Sequence, residues 1–199
     1  MSESHPIEVE SYRILHERVD LSTWPPCARQ VVARMIHATA DDGYATSARI
    51  GARAVGAALD ALARGAPIIV DTSMVAAGTP RLVTTCLLDD VPVAPPGSTR
   101  AAAAFALAAH RHPEGAVWVV GNAPSALLEL LARHGRGEVD PAAVIGLPVG
   151  FVGAAESKAM LWAGPLGPVA ITNVGERGGS PVAAAALNAL HRLRRGDPC

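Results

Sequence analysis

An amphipathic helix is predicted in the segment that ends at His37, because apolar residues recur there at steps of three and four. The apolar stripe consists of Ala28, Val31, Val32, Met35 and Ile36. The two prolines at 25–26 suit a first turn, and we expect Ser22 or Thr23 to cap it. His37 falls off the stripe and shares a helix face with Arg34, so it is not expected to serve as core packing.

The rest of the chain predicts an alternation of strands and helices. An N-terminal helix is expected within 7–22, a polar turn-like segment at 41–50, and a helix within 51–65 with Val55, Ala58, Leu59 and Leu62 on one face. Strands are expected within 67–71, 81–88, 115–121, 142–149 and 168–172. Helices are expected within 72–78, 97–112, 123–135, 154–164 and 180–193. The pattern predicts an α/β fold, a single three-layer α/β/α domain over residues 1–199 with a mostly parallel central sheet. Residues 1–6 and 195–199 are expected to be loose.

Composition narrows the class of protein. Half of the residues are hydrophobic but only 4% are aromatic, so Ala, Val, Leu and Ile must build the core, as in helices packed on a buried sheet. The formal net charge is −1, which argues against a broad nucleic-acid or membrane-binding surface. The longest apolar run, 101–109, is too short to span a bilayer, and the N-terminus lacks a signal-peptide pattern.

The cysteines predict neither a zinc site nor a disulfide framework. Cys27, Cys86 and Cys199 are widely separated and odd in number. Such usage is typical of a reducing compartment, so a cytoplasmic location is expected.

His37 is the candidate for acid–base chemistry. It lies in the last turn of its predicted helix, where unpaired carbonyl groups would stabilise an imidazolium. From position alone, a histidine that is exposed or that caps a helix-end carbonyl is the favoured interpretation. Three further histidines, His110, His112 and His134, are explained as residues at helix ends.

Four glycine-bearing loops each precede a predicted helix, at 97–100, 121–125, 150–157 and 175–180. Backbone N–H groups at such positions are suited to carboxylates or phosphates. Arg100, Lys158 and Arg177 lie in or just after these loops, where they could pair with carboxylates. Ordinary strand-to-helix turns are the alternative for each loop, but four together fit a ligand with several separated carboxylates.

Several common motifs are absent. The sequence contains no dinucleotide fingerprint, phosphate-loop lysine motif or nucleophile elbow. Asp89 and Asp90 are adjacent and are expected to lie in a solvated turn, so no metal site is predicted. A nucleotide-dependent α/β enzyme is therefore a weak hypothesis.

Taken together, the motifs resemble the precorrin-8X methylmutase family of cobalamin biosynthesis, over nearly the whole chain. The resemblance rests on IEVESYRI at 7–14, RMIHAT at 34–39, GAPIIVD at 65–71, MVAAG at 74–78, STR at 98–100, GNAPSAL at 121–127, GLPVGFVGAAESK at 146–158, GGS at 178–180 and AAAALNAL at 183–190. The departures are Ala40 where the family more often has Gly, Ala101 where Ser is common, and Glu176 in place of a basic residue.

The resemblance implies an isomerase that moves the methyl group of precorrin-8X, or of its cobalt-bearing equivalent, from C-11 to C-12. No redox cofactor, methyl donor or metal is implied. The family's catalytic histidine matches His37, and its N-terminal substrate-binding serine matches Ser11. Within the glycine loops, we take Thr99, Arg100, Asn122, Gly153 and Gly179 as further substrate-binding candidates, with Arg100 as the charged clamp.

Two properties of the implied substrate, its conjugated ring and its size, complete the hypothesis. Protonation would bias the conjugated macrocycle toward the methyl shift, and histidine titrates near neutral pH. A tetrapyrrole is large for one domain of this size, and family members look like homodimers, so a site near a subunit interface is expected. The alternative is a non-catalytic corrinoid carrier that binds the product and passes it on.

Overall fold

The computed structural model describes residues 5–196 and 198–199. The helices in that part of the chain are α1 (Pro6–Arg18), α2 (Pro26–Thr39), α3 (Tyr44–Ser47), α4 (Ala54–Ala63), α5 (Ser73–Ala77), α6 (Arg100–Arg111), α7 (Pro124–Gly135), α8 (Ala154–Ala163) and α9 (Ser180–Arg194), with a 3₁₀ turn at Gly167–Val169. The strands are β1 (Ala48–Ile50), β2 (Ile68–Val70), β3 (Thr85–Cys86), β4 (Val117–Val120), β5 (Ala143–Gly146) and β6 (Ala170–Asn173).

The strands form one sheet in the order β1-β6-β5-β4-β2-β3. The neighbouring pairs from β6 to β3 are parallel, whereas β1 pairs antiparallel with β6. The predicted mostly parallel sheet is confirmed. Parallel strands direct their carboxyl ends, and the loops that follow them, to one edge of the sheet.

Alternate residues of the strands feed two separate cores, which confirms the three layers. Val119 and Ile145 pack with α1, α2, α4, α5 and α9 on one face. Trp118 and Val144 pack with α6, α7 and α8 on the other. On the first face α2 lies against α9, and α1 lies against α2.

Strand β1 was not predicted, because its three residues lie in the polar segment at 41–50 that indicates a turn. The strand exists through pairing with β6, in which Ala48 lies opposite Asn173. That partner is distant in sequence, so local propensity does not reveal it. The predicted face of α4 is also partly wrong: Ala54 and Ala61 are buried with Ala58 and Leu62, while Val55 and Leu59 are only half-buried.

Helix α2 carries the predicted apolar stripe, and all five of its residues are buried. The expected cap is wrong: Pro25 occupies the N-cap, and no side chain, including those of Ser22 and Thr23, caps the helix. At the other end Ala40 adopts a left-handed conformation, with φ 51°. Glycine meets that requirement without a Cβ clash, which is a physical reason for glycine to be favoured at this position.

Cys27 and Cys199 form a disulfide, with their Cα atoms 4.3 Å apart and a sequence separation of 172. The sequence predicted no disulfide framework, and this bond corrects that expectation. It fixes Cys199 to the first turn of α2. None of the helices in the described part of the chain has the length and apolar character needed to cross a membrane.

Candidate functional site

His37 and Ser11, both predicted as site residues, are in contact. The Ser11 hydroxyl lies 2.9 Å from Nδ1 of His37, although the two residues are 26 positions apart. Ser11 is on α1 and His37 is in the last turn of α2, so packing of these two helices creates the pair. With Nδ1 engaged by the hydroxyl, Nε2 is the ring nitrogen left for proton exchange.

Tyr12 is a neighbour of His37 to which the sequence analysis gave no role in the site. Its ring stacks on the imidazole, with the centroids 4.7 Å apart. The two planes differ by 3°. Ser11 and Tyr12 are adjacent in α1, so one short stretch of helix contacts both an edge and a face of the same ring.

A charged network surrounds the pair. Glu8 of α1 accepts hydrogen bonds from Arg34 at 2.8 Å and from Arg192 at 2.9 Å. The network therefore joins α1, α2 and α9. Spacing within the helices gives part of this signal, because Arg34 precedes His37 by one helical turn and Glu8 precedes Tyr12 by one turn. The ion pairs between the helices leave no such local signal.

The electrostatic surroundings disfavour the imidazolium form of His37 in the substrate-free protein. Burial lowers the pKa of His37, the positive charge of Arg34 lowers it further, and Glu8 opposes the shift only in part. The expectation that the helix end would favour the imidazolium is wrong here. Desolvation and a nearby guanidinium outweigh the modest effect of helix-end carbonyls.

A cavity of about 200 Å³ opens beside this group, between α1, α2 and α9. Its lining residues are Tyr12, His16, Gln30, Arg34, Ala189, Arg192, Leu193 and Pro198. Pockets for drug-sized ligands usually measure roughly 300–1,000 Å³. The cavity alone is therefore too small for a tetrapyrrole.

The glycine loops lie side by side at the carboxyl edge of the sheet. The Thr99 hydroxyl lies 2.7 Å from that of Ser125, which joins the first predicted loop to the second. Gly153 begins α8 with φ 79°, and a Cβ atom added there would lie 3.4 Å from the Pro124 side chain. The second and third loops are thus neighbours.

The third and fourth loops are also joined. Gly150 donates its backbone N–H to the Glu176 carbonyl at 3.2 Å. Gly179, just before α9, donates its N–H to the Leu147 carbonyl at 2.9 Å. The four glycine loops therefore lie side by side along one edge of the sheet, as the parallel topology requires, and we call this edge the rim. The backbone N–H of Gly179 is not open to a ligand, because it already has a partner.

Three N–H groups of the 121–125 loop that were predicted to be open are occupied, which corrects that part of the hypothesis. Asp71 follows β2, and its carboxylate accepts backbone N–H groups from Gly121, Asn122 and Ala123 at 2.8–2.9 Å. Asp71 is buried. Burial raises its pKa, and the three N–H donors act in the opposite direction. The exposed side chain of Asn122 remains a candidate ligand contact.

Arg100, the expected carboxylate clamp, holds a neighbouring turn. Its Nε donates to the Val91 carbonyl and its Nη2 to the Leu88 carbonyl, both at 2.8 Å. Thr99 caps α6 by accepting the Ala102 N–H at 3.1 Å. A substrate carboxylate would therefore use Nη1 of Arg100 or compete with these two carbonyl groups.

Lys158 does not face a ligand, contrary to expectation. Its side chain is fully buried, with 1% of the residue exposed. The ammonium group donates to Asn173 Oδ1 at 3.0 Å and to the Arg177 carbonyl. Burial lowers the pKa of Lys158 to about 8. Arg177 pairs with Asp41 at 2.7 Å, which ties the last loop to the segment that follows α2.

The predicted site residues thus fall into two groups. His37 and Ser11 lie between α1 and α2 on one face of the sheet. Thr99, Arg100 and Asn122 lie beside α6 and α7, on the opposite face of the sheet, and Gly153 is next to them. No hydrogen bond joins the two groups within the described residues. Gly179, at the start of α9, lies on the same face as α2.

Comparisons with known proteins agree with this fold. The family model described as "Precorrin-8X methylmutase" matches residues 6–193. A "Precorrin-8X methylmutase" of Pseudomonas aeruginosa is 39% identical, over 91% of each chain. A "Cobalt-precorrin-8 methylmutase" of Methanothermobacter thermautotrophicus is also 39% identical, over 97% of this chain and 95% of the relative. The solved precorrin-8X methylmutase of Thermus thermophilus superposes with a TM-score of 0.84 at 39% identity, over 94% of this chain and 95% of that one.

Proposed function

The chain belongs to the precorrin-8X methylmutase family of isomerases, and on that premise we propose that it moves a methyl group of precorrin-8X from C-11 to C-12. The product would be hydrogenobyrinate, or cobyrinate if the substrate carries cobalt. The relatives' names include both the metal-free and the cobalt-bearing substrate. The reaction redistributes atoms within one molecule, so it consumes no redox cofactor or methyl donor.

The observation that carries the proposal is the hydrogen bond between His37 and Ser11. It fixes the orientation of the imidazole and leaves Nε2 to give a proton to the macrocycle and take it back. In the substrate-free protein, burial and Arg34 lower the pKa of His37. A substrate that carries several carboxylates brings negative charge to the site, which raises that pKa and supplies the imidazolium when it is needed.

Substrate binding is assigned to Ser11, Thr99, Arg100, Asn122, Gly153 and Gly179. The joined glycine loops support this assignment because they make one continuous rim. Arg100 would exchange a backbone carbonyl for a substrate carboxylate, a stronger charge-assisted partner. Loss of Arg100 is expected to weaken hydrogenobyrinate binding more than it changes the chemical step, as separate measurements of Kd and kcat would establish.

A homodimer with the site near the subunit interface is part of the proposal. The cavity beside His37 is too small for the substrate, and the rim exposes apolar side chains. Phe151 and Val152 are 90% and 87% exposed, and large exposed apolar groups favour contact with another surface. Analytical ultracentrifugation of the wild type and of Phe151→Asp tests this: a monomeric wild type would contradict it.

The decisive experiment is turnover by His37→Ala. The variant is expected to lose turnover of precorrin-8X while it still binds hydrogenobyrinate, seen as a corrinoid visible spectrum on the purified protein. His110→Ala is the matched control, because His110 is exposed at the end of α6. Substantial activity in His37→Ala would refute the role of this residue.

The wild-type protein must be assayed with both metal-free and cobalt-bearing precorrin-8. Conversion of either one to the corrin chromophore supports the isomerase. Binding of hydrogenobyrinate without turnover of either substrate would instead indicate the non-catalytic carrier. The substrate that reacts also decides which form of the reaction the protein performs.

A further inference from the structure

A second pocket, of about 350 Å³, lies behind the charged network that borders His37. Its walls come from α1, α2, α9 and the turn at 78–81. The residues that matter for its chemistry are Glu8, Arg34, Arg81, His191 and Arg192. Neither the sequence interpretation nor the proposed methyl shift assigns a role to this pocket.

The charge of the pocket is positive. Three arginines and one carboxylate, that of Glu8, line the pocket. The Glu8 carboxylate already accepts hydrogen bonds from Arg34 and Arg192. The guanidinium group of Arg81 has no hydrogen-bond or ion-pair partner among the residues that the structure describes. A pocket with this excess of guanidinium groups attracts an anion and repels a cation.

Buried polar atoms without partners provide the second, independent observation. His191 is 6% exposed, and both of its ring nitrogens lack a hydrogen-bond partner within the described part of the chain. Nε of Arg34 is also buried without a partner there. Buried donors without acceptors are costly, so native proteins rarely leave them unmatched. An oxyanion would supply an acceptor for Nε of Arg34 and for the one N–H that a neutral imidazole carries.

We propose that this pocket binds one oxyanion, a carboxylate or phosphate group, with Arg81 as its main charge partner and His191 and Arg34 as buried donors. Two sources share this chemistry: a peripheral carboxylate of the tetrapyrrole, which rests on the proposed function, or a free inorganic anion. Either one would act on His37, because Arg34, Glu8 and Arg192 all influence that histidine electrostatically. The pocket thereby couples anion binding to the acid–base group.

The first test titrates inorganic phosphate into the full-length protein at constant ionic strength. The ring nitrogens of His191 are followed by ¹⁵N NMR. A saturable shift is expected, and Arg81→Gln should raise the Kd about 10-fold or more, as loss of a charge-assisted bond predicts. Arg81 is exposed, so this substitution leaves the core intact, which thermal unfolding verifies.

Arg18→Gln is the matched control, because it removes the same charge from an exposed position at the end of α1. Its Kd for phosphate is expected to equal that of the wild type. A wild-type protein without a saturable His191 shift, or an equal loss of affinity in both variants, would overturn the proposal. The second of these results would mean that only the overall charge matters.

A competition experiment then identifies the source of the anion. If hydrogenobyrinate displaces phosphate, and Arg81→Gln weakens binding of both, the pocket takes a carboxylate of the macrocycle. If phosphate stays bound beside hydrogenobyrinate, the site serves a free anion. If hydrogenobyrinate does not bind at all, the proposed function fails while the phosphate result still decides the fate of this pocket.

Discussion

The rings of Tyr12 and His37 lie almost parallel, 4.7 Å apart between centroids and 3° apart in plane. The tyrosine hydroxyl also lies 3.4 Å from Arg34. The stacked ring covers one face of the imidazole, and the Ser11 hydroxyl engages its edge. The orientation of His37 therefore depends on α1 as much as on its own helix.

Tyr12→Leu is expected to lower kcat by up to about 10-fold, since an aromatic pair contributes about 0.5–1.5 kcal/mol beyond its buried area. The substitution keeps an apolar side chain but removes the stacked ring. Tyr12→Phe is the control and should stay near wild type, because it keeps the ring and loses only the hydroxyl. Equal kcat values for Leu and Phe variants would exclude stacking as the reason for the effect.

The stability of the substrate-free protein should fall when the pH drops below about 6.5. Burial, followed by nearby guanidinium groups, lowers the pKa of both His37 and His191 from the ordinary 6.5. The unfolded chain then takes up protons before the folded one, so stability is complete above pH 6.5 and is lost toward the lower folded pKa. Urea unfolding at a series of pH values measures the decline.

His37→Gln should show a smaller decline over the same pH range than the wild type. Ordinary carboxyl groups titrate below about 4.5, and the buried Asp71, whose pKa is raised, is present in both proteins, so the difference between the two declines reports His37. In the presence of hydrogenobyrinate, NMR titration should give a higher pKa for His37 than in its absence. An unchanged pKa would contradict the proposal that the anionic substrate raises the pKa of His37 and so favours its imidazolium form.

Ala40→Gly is expected to raise the free energy of unfolding by about 1 kcal/mol. Ala40 has φ 51° at the C-cap of α2, a conformation in which a Cβ atom costs roughly 1–2 kcal/mol and glycine recovers most of it. Chemical denaturation measures the change. Ala132→Gly, at an exposed position inside α7, should instead lower the free energy of unfolding. Destabilisation in both variants would contradict this account.

Reduction of the Cys27–Cys199 bond is expected to lower the free energy of unfolding by about 2–5 kcal/mol. The oxidised protein should have one free thiol, that of Cys86, and the reduced protein should have three. The Cys199→Ser variant should match the reduced protein, and Cys86→Ser should still respond to reductant. Three thiols in protein isolated under non-reducing conditions would fit the predicted cytoplasmic location, where disulfides are rare.

The sequence predicted the layers and the position of His37 because those features rest on local periodicity. The apolar stripe of α2 is buried as expected, and Ser11 was found through the family resemblance. Contacts between distant segments were not predictable from any local pattern. The capture of three N–H groups by Asp71, the burial of Lys158 and the Cys27–Cys199 bond are of this kind.

The disulfide closes residues 27–199 into a covalent ring, and α1 lies outside it. Within α1, Leu15 is the one buried residue. The ion pairs of Glu8, the Ser11–His37 hydrogen bond and the stacked ring of Tyr12 also attach the helix to its neighbours. The ring would therefore stay intact if α1 moved away from α2. Detachment would carry Ser11 and Tyr12 away together and leave His37 behind, so the two halves of the proposed site belong to parts of the chain with different freedom to open.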